Sequence, residues 1–237
     1  MRWSRRSATQ GSGDTGSATD PTTGPATHPA ADAPVEAADA GAEGTGERRP
    51  DGPWDVSERP RDEDDARPWV DLGALSLPGH PDVQVQLQVD EASGEVAAVL
   101  LVAEDGAMEL RAFAAPRNED IWDDVRTQLA AEAKRRGGDT REVQGPYGTV
   151  LQMVVPVVTP EGEQAAQQSA VLGIAGPRWL LRASMYGRPA REWRPNGLLE
   201  SLLRDVVVDR GSQPMTPGQA LPLRLPAGAQ RVEAPAP

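Results

Sequence analysis

The chain has 237 residues, a net charge of −12, no cysteine and only two histidines. The charge argues against attraction of the whole protein to nucleic acid or to an anionic membrane. The histidines lie in turn-rich stretches, Thr27–Pro29 and Pro78–Pro81. The composition therefore argues against Cys–His and Ser–His nucleophilic pairs, thiolate metal sites and redox-active thiols. We expect no cofactor.

The N-terminal part is acidic and of low complexity. Residues 1–66 contain seven arginines against fourteen aspartates and glutamates, with almost no Leu, Ile, Val or Phe. Such a segment buries too little apolar surface to offset an ordering cost of about 1–2 kcal/mol per residue. We predict that residues 1–66 form a disordered acidic arm. One alternative stays open, in which Trp54 docks onto the folded domain.

Nothing in the sequence predicts export or membrane insertion. The basic Met1–Arg6 is followed by Ser, Gln, Gly and Asp where a secretory signal needs an apolar stretch. The longest strongly apolar run, Val96–Ala103, is far shorter than the roughly 20 residues that span a bilayer. A cytoplasmic protein is the expected reading.

Three strands are predicted at the start of the folded region, which begins near Trp69. Apolar and Gln residues alternate over Val83–Val89, which is the period of a half-buried strand. Val96–Ala103 is apolar throughout and predicts a second strand. A tight Asp-Gly turn then predicts a hairpin with a third strand, Ala107–Ala114.

A helix is predicted over Asn118–Arg136. Asn118 is a suitable N-cap, acidic residues fill the first turn, and Gly137 follows a basic last turn. Apolar residues recur at spacings of three and four, which predicts one stripe facing the sheet. The stripe consists of Trp122, Val125, Leu129 and Ala133, with Ile121 beside it.

The second half repeats this order of elements. Strands are predicted over Thr149–Val158, Gln167–Ala175 and Arg178–Ser184, followed by a short helix at 196–203 and a last strand, Val206–Val208. The order βββα–βββα(β), with tight hairpins, predicts an α+β fold with a largely antiparallel sheet and two covering helices. The predicted organisation is an arm at 1–66, a domain at 67–211 and an extended Pro-rich tail at 212–237.

Several segments of the chain resemble one family. They are Gly52–Ser57, Val70–Leu75, Val89–Gly94, Gly176–Arg182, Asp205–Gly211 and Pro222–Pro226. They resemble the actinobacterial family of domain of unknown function 3710, over roughly residues 50–226. The resemblance implies a cytoplasmic actinobacterial protein and transfers no activity or site residue. The element order is also similar to the Mog1/PsbP-like α+β fold, whose members are mostly interaction modules.

The candidate binding residues come from an arginine- and aromatic-rich stretch at 178–194. They are Arg178, Trp179, Arg182, Arg188, Arg191, Trp193 and Arg194, with Tyr186 among them and Glu192 as the single acid. Arginine with aromatics is suited to phosphate, carboxylate or base-stacking recognition. Three readings stay open: a solvated surface, a site for an anionic partner, and a docking site for the acidic arm.

The acidic clusters predict no metal or catalytic site. The run Asp62–Asp65 lacks the ligand spacing of a Ca²⁺ or Mg²⁺ site. The carboxylates Glu119, Asp120, Asp123 and Asp124 lie at the start of the predicted helix and are better explained by its dipole than by acid–base catalysis. No catalytic residue is therefore predicted.

Two classes of function follow from the sequence. The first is a non-catalytic cytoplasmic binding or adaptor module with a protein partner. The alternative is a small-ligand or phosphate-binding protein, or an enzyme, that uses the stretch at 178–194. Overall charge disfavours nucleic acid, no membrane partner is expected, and the oligomeric state is left open. An apolar groove without converging ionisable groups would favour the first class, and a deep pocket gathering Arg178 and Arg182 would favour the second.

Overall fold

The computed structural model describes residues 52–58, 67–90, 94–117, 119–159 and 162–226. Within these ranges the chain forms eleven strands and three helices. In chain order they are β1 Trp54–Asp55, β2 Trp69–Asp71, β3 Leu75–Pro78, β4 Gln84–Val89, β5 Val96–Ala103, β6 Gly106–Ala114, α1 Trp122–Arg135, β7 Asp139–Gly145, β8 Gly148–Val158, β9 Gln164–Gly176, β10 Trp179–Gly187, α2 Arg188–Arg191, α3 Leu198–Asp205 and β11 Val207–Val208.

The strands form two sheets. The larger has seven strands in the order β4-β5-β6-β10-β9-β8-β7, and all of its neighbours pair antiparallel. The smaller has the order β1-β11-β3-β2, in which only the β1–β11 pair is parallel among the described strands. The predicted α+β class with a largely antiparallel sheet is confirmed.

One face of the large sheet carries the main core, and we call it the covered face. Alternate residues of β10, such as Leu181 and Met185, point to this side, because successive side chains of a strand face opposite ways. They are fully buried with Leu75 of the small sheet and Leu199 of α3. The small sheet and α3 therefore close this side of the large sheet.

The opposite face, which we call the helix face, packs against α1. This helix lies over β7, β8 and β9. Trp122 is 4% exposed and packs with Leu151, Val171 and Leu180. Its ring lies against Gly173, where a Cβ would fall 2.1 Å from a ring carbon. Glycine at this position lets the indole lie flat on the sheet.

The helix begins later than the sequence suggested. Asn118 lies outside the described residues, and α1 starts at Trp122 with Ile121 as its N-cap. Asp120 accepts a hydrogen bond from the Trp122 N–H at 2.8 Å, so a carboxylate serves the first turn. The apolar stripe was predicted correctly, since Trp122 and Ala133 are its buried members.

Some elements are absent from the sequence-based prediction. β7 has the sequence DTREVQG, which is polar at most positions and is exposed at the edge of the large sheet. β2 and β3 are too short to show periodicity, and α2 is a single turn within a segment read as a loop. Pairing with neighbours, more than local pattern, defines these elements.

The folded region extends beyond the expected limits of 67 and 211. Trp54 pairs in register with Val207, so residues 52–58 belong to the small sheet and not to an arm. After residue 211, Ala220 bridges to Phe113, and Leu221 is 3% exposed. The rest of the predicted arm, residues 1–51 and 59–66, lies outside the described residues, as do residues 227–237 of the tail.

Candidate functional site

The structure separates the residues of the stretch at 178–194. Trp179 has no exposed surface, and its Nε1 donates a hydrogen bond to Oδ2 of Asp55 at 2.8 Å. It therefore belongs to the core and cannot form part of a contact surface, which corrects its assignment as a binding residue. Arg178 lies in the turn before β10, with a left-handed φ of 62°.

Arg188 holds a buried ion pair. Its Nη1 and Nη2 donate to the two oxygens of Glu200 at 2.6 and 3.1 Å, and its Nε donates to Asp105 at 2.5 Å. Glu200 has no exposed surface and also accepts from the Arg194 N–H. Burial alone would raise the pKa of Glu200, yet the hydrogen bonds from Arg188 and Arg194 hold it below its usual value. The hydrogen bond to Glu200 raises the pKa of Arg188. Arg188 thus anchors α2 to α3.

The remaining members lie at the end of α2 and just after it. The Nε and Nη2 of Arg194 donate to the two carboxylate oxygens of Glu192 at 3.0 and 2.8 Å, and both side chains are exposed. Arg191 is exposed as well. Trp193 is half-buried and meets Tyr147 edge-on, with ring centroids 6.0 Å apart.

Trp193 and Tyr147 also line a cavity of about 680 Å³ at the N-terminal end of α1. Trp122 and two arginines, Arg126 and Arg204, contribute to the same lining. Arg126 is already paired with Asp123 and Glu142. The aromatic part of the stretch at 178–194 therefore belongs to a cavity that Arg178 and Arg182 do not line.

Arg182 lies on the helix face of β10. Its Nη2 is 3.4 Å from Oε1 of Glu109, and the same oxygen accepts from Arg111 Nε at 3.0 Å. Its guanidinium also lies over the ring of Phe113, 5.5 Å from the centroid. Burial and the neighbouring charge of Arg111 lower the pKa of Arg182.

Tyr186 follows on the same side of β10. Tyr186 is half-buried, and burial together with the charge of Glu109 raises the pKa of its phenol. Ser184 lies between the two positions and is 6% exposed. We call Glu109, Arg111, Arg182, Ser184 and Tyr186 the polar cluster. Its charged side chains lie on one face of an antiparallel sheet, and such a face commonly carries polar residues where nothing packs on it.

The polar cluster lies on a part of the helix face that α1 leaves open. In the described ranges α1 packs on β7, β8 and β9, while Ala190 of α2 and Leu199 and Leu203 of α3 join the core on the covered face. We call the helix-face side of β4, β5, β6 and β10 the open face. Besides the polar cluster it carries Gln84, Gln86, Gln88, Leu100, Val102 and Phe113.

A groove runs between α1 and the open face, with a volume of about 580 Å³. Ile121, Val125 and Leu129 line it from the helix, while Phe113 and Arg182 line it from the sheet. Sequence reasoning missed both the groove and the open face. The alternating Gln residues of β4 indicated a polar face. That Arg182 lies on the same face follows only from the pairing of β6 with β10, which local sequence does not predict.

These features define a two-sheet α+β domain with one closed face and one partly open, mixed face. The chain belongs to the family described as "Protein of unknown function (DUF3710)", whose model matches residues 52–232. Among solved structures it is similar to cyanobacterial PsbP (CyanoP) from Synechocystis sp. PCC 6803, with 8% identity and a TM-score of 0.34. That likeness covers 60% of this chain and 91% of the other. None of the curated proteins matches the sequence. No helix in the described ranges is long and apolar enough to cross a membrane.

Proposed function

We propose that this protein is a non-catalytic cytoplasmic binding module that engages a protein partner through its open face. The observation that carries the proposal is the composition of that face. It combines half-buried apolar side chains, such as Leu100 and Phe113, with Arg182 and Tyr186. Aromatic residues and arginine are enriched at protein interfaces relative to the rest of the protein surface.

The arginines at 188–194 should contribute less to the partner contact, because two of them are already paired. Arg188 is committed to Glu200, and Arg194 is paired with Glu192. Exposed pairs of the second kind contribute little and are screened by salt. We therefore assign the polar contact to Arg182 and its neighbours, with Arg191 and Arg194 outside it.

A second candidate function is small-ligand binding in the cavity beside Trp193. Its volume of about 680 Å³ falls within the range of ligand pockets, and aromatic side chains line it. In this case Trp193→Ala would abolish binding, while changes on the open face would leave it intact. The two candidates are separable because they use different surfaces.

The test is cross-linking in the native cell from the open face. A photoreactive phenylalanine analogue replaces Gln86, which is exposed on β4 beside Leu100. The matched control places the same analogue at Val158, which is 64% exposed near the far end of β8. We expect a discrete adduct from position 86 and only background from position 158. Equal background from both positions would contradict the proposal.

A further inference from the structure

We propose that the groove between α1 and the open face is a binding site for a small molecule with one carboxylate and an apolar body. This site shares Arg182 with the proposed partner contact, but it goes beyond that contact and does not depend on it. Arg182 would receive the carboxylate, and the α1 side of the groove would receive the apolar body.

The charges at the sheet side of the groove are unbalanced. Arg111 and Arg182 lie directly opposite each other on β6 and β10, and both reach the same oxygen of Glu109. Two guanidiniums thus share one carboxylate, although the side chain of Arg182 is only 17% exposed. Like charges opposite each other in a sheet repel, so one further negative charge would be stabilised here.

Arg182 also has hydrogen-bonding capacity to spare. Among the described residues, its Nε is a buried donor without a hydrogen-bond partner. A guanidinium has five N–H donors in a planar fork that matches a carboxylate. The lowered pKa of Arg182, which arises from burial and from Arg111, agrees with incomplete compensation by Glu109.

The rim favours a monoanion over a phosphate. Asp124 and Glu132 lie at the groove, and Glu132 is paired with Arg135. With Glu109 also near, a dianion would meet repulsion that a single carboxylate avoids.

The α1 side of the groove, which we call the helix wall, favours an apolar body for the ligand. Ile121, Val125 and Leu129 are half-buried and present apolar surface to a volume of about 580 Å³. Ligand sites of this size are mostly apolar with a few fixed polar groups. An aliphatic or aromatic chain beside the carboxylate therefore suits the groove.

The experiment is calorimetric titration of the full chain with octanoate. Octylammonium and inorganic phosphate serve as control ligands, and Arg191→Gln as the control variant, because Arg191 is an exposed arginine outside the groove. We expect saturable binding of octanoate only, with affinity reduced about tenfold by Arg182→Gln and unchanged by Arg191→Gln.

A second variant tests the site independently in case Arg182→Gln does not fold. Val125→Glu places a carboxylate on the helix wall, where the side chain is half-buried, and should abolish octanoate binding while thermal unfolding stays cooperative. The proposal is overturned if octanoate fails to saturate, if octylammonium or phosphate binds as well, or if the folded variants bind octanoate like the parent. Cross-linking from position 86 is unaffected by any of these results, so the two proposals fail separately.

Discussion

The covered face and the helix face are built by the same strands with opposite chemistry. Along β6, Met108 and Leu110 are fully buried on the covered face, whereas the alternating residues Glu109 and Arg111 lie on the helix face. An antiparallel sheet commonly has one face packed on the core and one face in contact with water, and charge is costly only where it is desolvated. The covered face therefore holds the domain together, and the uncovered part of the helix face supplies the surface on which the proposed partner contact rests.

The helix face is itself divided. Under α1 it is apolar, with Trp122 lying on Gly173 and packed against Leu180. Two residues further along β10, Arg182 begins the polar cluster. The boundary between the part of the face under α1 and the polar cluster therefore falls within one strand, and substitutions on either side of it should behave differently.

The largest effect is expected under α1. Trp122→Ala should reduce the free energy of unfolding by about 3–5 kcal/mol, because it removes a buried aromatic side chain. It also removes the Nε1 hydrogen bond to the Thr149 carbonyl oxygen. Denaturant unfolding measures this loss. In the control Val158→Ala, at an exposed position, the free energy of unfolding should change by less than about 0.5 kcal/mol. A loss under about 1 kcal/mol for Trp122→Ala would mean that α1 does not pack as described.

A similar loss in the free energy of unfolding is expected at the ion pair between Arg188 and Glu200. Arg188→Ala leaves the carboxylate of Glu200 buried and without its main partner, which should cost about 3–5 kcal/mol. The matched change Arg191→Ala, on the same helical turn but exposed, should fall within about 0.5 kcal/mol. Replacing Arg188 by Met and Glu200 by Leu together should recover much of the loss. Equal unfolding curves for the two alanine variants would show that the ion pair does not stabilise the fold.

A smaller, pH-dependent effect follows from Glu200. Its pKa in the folded state is lowered, since the hydrogen bonds from Arg188 and Arg194 outweigh burial. The charged form is therefore stabilising above the ordinary glutamate pKa of about 4.3, and this stabilisation is lost as the pH falls through the lower folded value. The difference in unfolding free energy between the parent and Glu200→Gln should shrink between pH 7 and pH 3. A difference that is constant over this range would contradict the assignment.

Local pattern in the sequence predicted much of the covered face and little of the candidate site. β5 and β6 followed from apolar runs and an Asp-Gly turn, and α1 followed from its stripe. The polar cluster did not follow, because Glu109 and Arg182 are 73 residues apart and meet only through the pairing of β6 with β10. Arg188 was read as a surface residue because nothing near it in the chain marks Glu200 as buried.

The most direct test compares two adjacent leucines of β5. Leu100 lies on the open face, whereas Leu101 is 2% exposed on the covered face. Leu101→Lys buries an unpaired charge and should reduce the unfolding free energy by about 4 kcal/mol or more. Leu100→Lys should change it by less than about 1 kcal/mol, since a lysine there can extend into water. When Leu100→Lys is combined with the photoreactive residue at position 86, it should abolish the cross-linked adduct. If Leu100→Lys destabilises as strongly as Leu101→Lys, or folds normally and keeps the adduct, the open face is not a binding surface.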